Sequence, residues 1–100
     1  MDVNRALRTA VQTGKVLLGT KETLKAIDSG KAKLVVVSNN TPGEWGERIA
    51  QRAKDRNVPL YRFDGSNGEL GPACGKPFNV AALGVLEAGE SDILALARSG

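Results

Sequence analysis

Apolar side chains recur at Val3, Leu7, Ala10 and Val11, a helical stripe that predicts a helix over residues 2–13. Gly14 stands where a left-handed cap would end it. The run Lys15-Val16-Leu17-Leu18-Gly19 then suits a short buried strand. Thr20 is placed to cap a second helix, with Leu24 and Ile27 on one face and Gly30 as its stop. Three consecutive valines after Leu34, within residues 33–38, predict a central strand covered on both faces.

Turn chemistry marks the second half. Thr41-Pro42-Gly43-Glu44 reads as a capping box, with Thr at the cap, Pro at the first helical position and Glu at the third. The helix it opens would bury Trp45, Ile49 and Ala53, and Asn57 can close it. Residues 58–63 read as a strand, and Pro59 argues for a sheet edge or the strand's first residue. Asp64-Gly65 turns the chain. Ser66 with Glu69 forms a second capping box, opening a short helix to about Gly75 that Pro72 should kink or shorten. Residues 80–86 make the last strand. After a turn at Glu87–Glu90, Ser91 or Asp92 caps a short helix through Leu96. Helices and strands alternate throughout. The expected fold is α/β, a three-layer α/β/α sandwich around a four-stranded mixed sheet. No repeat, linker or low-complexity stretch divides the chain, so residues 1–100 read as one domain.

Composition narrows the chemistry. Cys74 is the only cysteine and there is no histidine, which removes an intrachain disulfide, cysteine-cluster metal sites and every catalytic pair built on imidazole. No apolar run approaches the ~20 residues of a membrane span, and the first ten residues carry no apolar signal region, so the expected location is the cytosol. Residues 71–76, Gly-Pro-Ala-Cys-Gly-Lys, fail as a phosphate loop twice. Leu70 stands where the first glycine belongs, and Pro77 stands where a magnesium-binding hydroxyl belongs. No dinucleotide fingerprint follows any strand. Neither a catalytic residue nor a metal or cofactor is expected, and Cys74 reads as a small core residue.

Charge adds a direction. Residues 1–33 carry seven basic and three acidic side chains, a net of +4, while the rest of the chain nets −1. A basic third suits a polyanion as well as it suits plain solvation. The strand mouths at Gly19 and at Asn39-Asn40 would meet if those strands are parallel neighbours, and both open helix N-termini that favour phosphate. Lys21 and Lys25 share one helix face beside the first of these mouths. Asn40 precedes a cap with its own donors and acceptors, which leaves its amide either for a base edge or for shaping a turn. Phe78 follows Lys76-Pro77 in a predicted loop, as a lid on the core or as a platform for an unpaired base.

Taken in order, Gly19-Thr20-Lys21, Asn40-Thr41-Pro42, residues 67–78 (Asn-Gly-Glu-Leu-Gly through Lys76-Pro77-Phe78) and residues 86–94 resemble the L-thirty-e family of archaeal and eukaryotic large-subunit ribosomal proteins. The resemblance spans essentially the whole chain. Gly19, Glu22 and Lys25 match the wider superfamily, to which L-seven-Ae belongs. It implies binding of a kink-turn, an RNA helix bent at an internal loop with sheared G·A pairs. Gly19, Thr20 and Lys21 would lie on the RNA backbone and the sheared purines, and Asn40 on a guanine edge. Phe78 and Val80 would pack on an extruded nucleotide, with Lys76 and Asn79 in the same loop, and Glu22 and Lys25 would add polar contacts. Asn79 stands where the family often has a basic residue, and Pro72 where threonine is usual. The implied partners are ribosomal RNA and neighbouring ribosomal proteins, with a monomer when free and no membrane. The implied place is the cytoplasmic ribosome, and the role is binding without catalysis. The competing readings are a stand-alone kink-turn adaptor of an RNA-modification complex and a small α/β enzyme.

Overall fold

In a computed structural model that describes residues 2–98, helix α1 (Val3–Thr13) begins where the Asp2 carboxylate accepts the Arg5 N–H at 3.2 Å. It buries Ala6, Leu7 and Ala10. Gly14 leaves it in extended backbone (φ −112°), not in the left-handed cap expected. Closeness explains the glycine instead: a Cβ there would lie 2.0 Å from the Glu87 carbonyl oxygen. Strand β1 (Lys15–Leu18) follows, then α2 (Thr20–Asp28), β2 (Leu34–Val37), α3 (Gly43–Asp55), β3 (Leu60–Arg62), α4 (Asn67–Ala73) and β4 (Ala82–Glu87). The last element among the described residues is a 3₁₀ helix, Ile93–Arg98, where an ordinary short helix was expected. Ser91 introduces it: its hydroxyl accepts the Ile93 N–H and donates to Ala6 O.

The expected α/β/α sandwich is present. The mixed sheet has the order β1-β4-β2-β3, with β4 antiparallel to both its neighbours and β2 parallel to β3. Alternation along β2 divides the core in two. Leu34 and Val36 face α1, α4 and the 3₁₀ helix, while Val35 and Val37 face α2 and α3. All four are fully buried, as a central strand demands. Gly84 of β4 lies under α2, where an added Cβ would already touch the Ala26 Cβ at 3.4 Å.

Three expectations give way to the topology. β1 is an edge strand, paired only with β4, and Leu17 is 37% exposed. β1 and β2 are parallel to each other but not neighbours, because β4 lies between them. Thr41 does not cap α3. Its hydroxyl turns inward to the carbonyl oxygens of Ser38 and Ala81, both at 2.9 Å, and Glu44 pairs with Arg48 instead. Trp45 is half-buried, with the Arg48 guanidinium 5.1 Å from its ring centroid. The Ser66–Glu69 capping box does form, with the Ser66 N–H donating to Glu69 Oε1 at 3.0 Å. Asn57 closes α3 in the left-handed conformation (φ 57°).

Helix α4 supports the segment that returns to the sheet. A Cβ on Gly71 would lie 1.7 Å from the Phe78 carbonyl oxygen, a backbone atom with no room to yield. In an open helix Gly→Ala gains about 1 kcal/mol of propensity. Here the sign should reverse, and Gly71→Ala should lose about 1–3 kcal/mol to overpacking. Urea denaturation measures this, and a stabilised variant would refute the close approach.

Candidate nucleic-acid interface

Four segments meet at the end of the sheet where β4 begins. The first is the turn from β1 into α2. Gly19 occupies the cap position in place of Thr20, with φ 120° and ψ 157°, a region that side chains disfavour. Its N–H donates to Ala82 O at 2.8 Å. Its carbonyl accepts the Thr23 N–H at 3.0 Å and the Thr23 hydroxyl at 2.6 Å. Thr23 is fully buried, so this hydroxyl holds the turn from inside. Ahead of the Thr23 bond, the first amides of α2 have no helical carbonyl to meet. A Cβ on Gly19 would find only the Glu22 Cγ, at 3.8 Å, so the backbone is bare on its outer side. Thr20 is half-buried, while Lys21, Glu22 and Lys25 are exposed. The ion pairs among the described residues, Arg48–Glu44 and Arg52–Asp28, involve none of them.

The second segment joins β2 to α3. The Ser38 N–H donates to Ala81 O at 2.9 Å, next to the carbonyl that holds Gly19. Two loops from strands that never pair are thus fixed to consecutive residues of the same third segment, the lead into β4. Ser38 is buried, and its hydroxyl lies 2.9 Å from Thr41 Oγ1 and 3.2 Å from Asn40 Oδ1. The Asn40 amide oxygen is therefore engaged within the protein, where the sequence had left the amide to a base edge or to a turn. That oxygen accepts the Asn67 N–H at 2.7 Å, and the amide nitrogen lies 3.5 Å from Asn67 Oδ1.

The fourth segment is the start of α4, which Asn67 opens. The Asn67 carbonyl accepts the Val80 N–H at 3.0 Å. One residue therefore ties the Asn40 loop to the Phe78 loop. Sequence reasoning gave it no role of its own, although it stands just after the Ser66 cap and opens the 67–78 stretch. Ser38 and Thr23 were missed too, since a buried hydroxyl leaves no mark in a hydrophobic pattern.

Loop 75–80 carries the apolar part of the surface. Phe78 is 51% exposed, so it is not a lid on the core. Val80 is 3% exposed and packs in the core beneath α1 and α4. Its side chain is thus turned into the core and not presented beside Phe78, where the expected contact with a nucleotide would place it. Asn79 is exposed beside Phe78. Lys76 is half-buried at the base of the loop, its N–H donating to Gly71 O at 3.0 Å.

Among the described residues no group of three or more acidic or cysteine side chains could hold a metal. A surface hollow runs along α3, past Glu47, Ala50 and Lys54, and shares no residue with these loops. Cys74 is buried, and burial pushes its thiol up from 9.0 to about 11, with nearby Lys76 opposing weakly. Folding thus favours the protonated thiol. The stability this lends is full below about pH 9, where the unfolded thiol begins to ionise, and is lost as pH rises through about 11. At pH 8 the native thiol should react with a disulfide reagent far more slowly than the same thiol in urea. Equal rates would place Cys74 at the surface.

Comparison with known proteins follows the same lines. Residues 1–95 match the ribosomal protein L7Ae/L30e/S12e/Gadd45 family. The chain is 51% identical over 96 residues to large ribosomal subunit protein eL30 of Methanocaldococcus jannaschii, covering 96% of this chain and 87% of that protein. It is 51% identical over 98 residues to the eL30 protein of Methanospirillum hungatei JF-1, covering 98% and 100%. A solved structure from Bacillus halodurans C, described as a protein with unknown function, superposes with a TM-score of 0.84. It covers 99% of this chain and 98% of that one at 23% identity, which speaks for the shared fold alone.

Proposed function

The chain belongs to the ribosomal protein L7Ae/L30e/S12e/Gadd45 family, and on that premise we propose that it is a structural protein of the large ribosomal subunit that binds kink-turn RNA as a single domain. It works by binding and not by catalysis, in the cytoplasmic ribosome, with ribosomal RNA and neighbouring ribosomal proteins as partners and a monomeric free state. The observation that carries the RNA reading is the convergence of the Gly19 turn, Asn40 and exposed Phe78 at one end of the sheet, fixed through Ala81, Ala82 and Asn67.

Each part suits a different feature of a bent RNA. The bare Gly19 backbone and the free amides of α2 suit phosphate and sugar at close approach, and the α2 dipole favours the negative charge. Lys21 and Lys25 supply attraction that salt weakens, and Glu22 and Thr20 offer polar contacts beside them. Asn40 suits a base edge. Phe78 offers a face on which an unpaired nucleotide can stack, with Asn79 and Lys76 in the same loop. Val80 contributes from below, by anchoring that loop in the core. A straight duplex hides its bases and does not present backbone and an extruded nucleotide together, so preference for the kink follows from the arrangement.

Gel shifts with a kink-turn RNA and a straightened duplex, at two salt concentrations, test the proposal. Strong preference for the kinked RNA at 1:1 stoichiometry is the expected result; equal affinity would reduce the surface to a generic basic patch. Two variants separate the contributions. Lys21→Ala should lower the dependence of log affinity on log salt by up to about one unit. Phe78→Ala should cost about 1–3 kcal/mol of binding and leave the salt slope and Tm nearly unchanged, since its ring is half in solvent. A large Tm loss in Phe78→Ala would return that residue to the core.

A further inference from the structure

The chain has four aromatic side chains, and the core takes two of them. Phe63 is buried, and Tyr61 packs against the same cluster. Phe78 stands on the surface already described. Trp45 is left without a task. It is half-buried, yet among the described residues neither buried cluster, nor the partly buried side chains packed on them, includes it. Its neighbour is a cation: the Arg48 guanidinium lies 5.1 Å from the ring centroid, while Arg48 Nη2 donates to Glu44 Oε1 at 2.9 Å. A flat indole and a flat guanidinium are thus held together at the start of α3.

Position along the helix gives this pair a direction. Ile49 and Ala53 mark the face of α3 that enters the core, and Arg52 beside them reaches Asp28 of α2. Arg52 therefore marks the flank of α3 that faces α2. Trp45 stands seven residues before Arg52, about two turns, on the same flank. Lys21 stands seven residues before Asp28 on α2. Both helices start at the end of the sheet where β1 and β2 finish, and both run away from it. Trp45 is therefore at the Gly19–Asn40 end, across from the first turn of α2 with its lysine and its free amides. Gly46, next in the chain, already borders the Asn40 loop: a Cβ on it would lie 3.8 Å from the Thr41 Cβ. Glu47 falls on the solvent side of α3, and Glu44 is paired with Arg48. Phe78 approaches the same end from the layer of α1 and α4, and Trp45 from the layer of α2 and α3.

We propose that Trp45 is a further RNA-binding residue, which extends the interface onto α3 by packing its indole, backed by Arg48, on a nucleotide next to those that meet the first turn of α2. The inference rests on the RNA-binding reading of the adjoining loops. Continuity with those loops selects the occupant, and Lys21 and Arg48 set two cations at the rim, which suits a phosphodiester backbone. Unpaired bases stack on aromatic rings and on guanidinium planes alike, whatever the base. Trp45 thus adds affinity and not base choice.

Trp45 is the only tryptophan, so indole emission reports on this ring alone. Kink-turn RNA should change the emission of wild-type protein saturably at 1:1 stoichiometry and should shield the indole from acrylamide. Trp45→Leu keeps an apolar side chain against α2 and loses the flat ring. Its affinity for kink-turn RNA should fall about tenfold, within the range of one base–aromatic stack, with the salt slope unchanged. Trp45→Phe restores a ring and should recover most of that loss, which a side chain that only fills space between α2 and α3 would not require. Wild-type affinity in a folded Trp45→Leu protein overturns the inference. So does kink-specific binding in the gel that leaves emission and acrylamide access untouched, since the ring would then serve the α2 contact or a protein neighbour. If Trp45→Leu does not fold, the emission and acrylamide measurements on wild-type protein decide alone. Wild-type protein that binds kinked and straight RNA equally would instead overturn the RNA reading, and the inference with it.

Discussion

The lead into β4 holds this molecule's loops in place. β4 is inserted antiparallel between two strands that run the same way, so its first residues lie between the two places where those strands end. Ala82 O takes the Gly19 N–H, and Ala81 O takes the Ser38 N–H and the Thr41 hydroxyl. These are obligatory bonds, because an unpaired peptide group next to the core costs about as much as a lost hydrogen bond. Meeting them brings a turn from β1 and a loop from β2 to one spot. With β4 elsewhere in the order, β1 and β2 would be direct neighbours, and no third strand would stand between their ends to offer these two carbonyls.

Close approach of bare backbone extends that control to the remaining loops. Gly71 lets the Phe78 carbonyl rest on α4, and Val80 anchors the far end of the same loop in the core. At the opposite end of the sheet Gly14 passes the Glu87 carbonyl where no side chain would fit. The loops that carry Asn40 and Phe78 are thus held at both ends by strand or helix, and meet through Asn67. Groups held in one geometry before a ligand arrives lose less freedom on binding, so affinity can come from few contacts. An exposed Phe78 has its place in such a surface, since its loop is ordered by the backbone and not by its own ring.

Polar groups here are assigned by subtraction. The Thr23 hydroxyl is used by Gly19, the Thr41 hydroxyl by Ser38 and Ala81, and the Asn40 oxygen by Asn67. The bare backbone at Gly19, the exposed Lys21 and Lys25 ammonium groups and the Asn40 amide nitrogen remain as donors on this face. A ligand that supplies acceptors and negative charge complements such a face, and RNA supplies both. Glu22 is the acidic exception, placed in the first turn of α2, where the helix dipole favours it.

The element order, the α/β class and most helix ends were legible in the amino-acid sequence, because they rest on signals within a few residues. Ser66 and Glu69 find each other three positions apart, Asn57 turns on its own φ, and three valines announce a strand buried on both faces. Gly19, Lys21 and Asn40 were legible at or beside strand-to-helix turns on the same grounds, while Phe78 stayed open between a lid on the core and an exposed platform. What tertiary structure alone decided depends on groups far apart in the chain. Asn40 and Asn67 are 27 residues apart, and Thr41 and Ala81 are 40 apart. Thr41 looked like a cap because its local neighbours allow one, but Ala81 O and Ser38 O claim its proton first. Val80 looked like part of a binding loop, but its side chain is buried in the core, while its N–H is held by Asn67 O, 13 positions earlier in the chain. Leu17 looked buried, yet a run of four apolar residues is the same in a central strand and an edge strand. Only the pairing order, set by which strand satisfies which backbone groups, distinguishes the two.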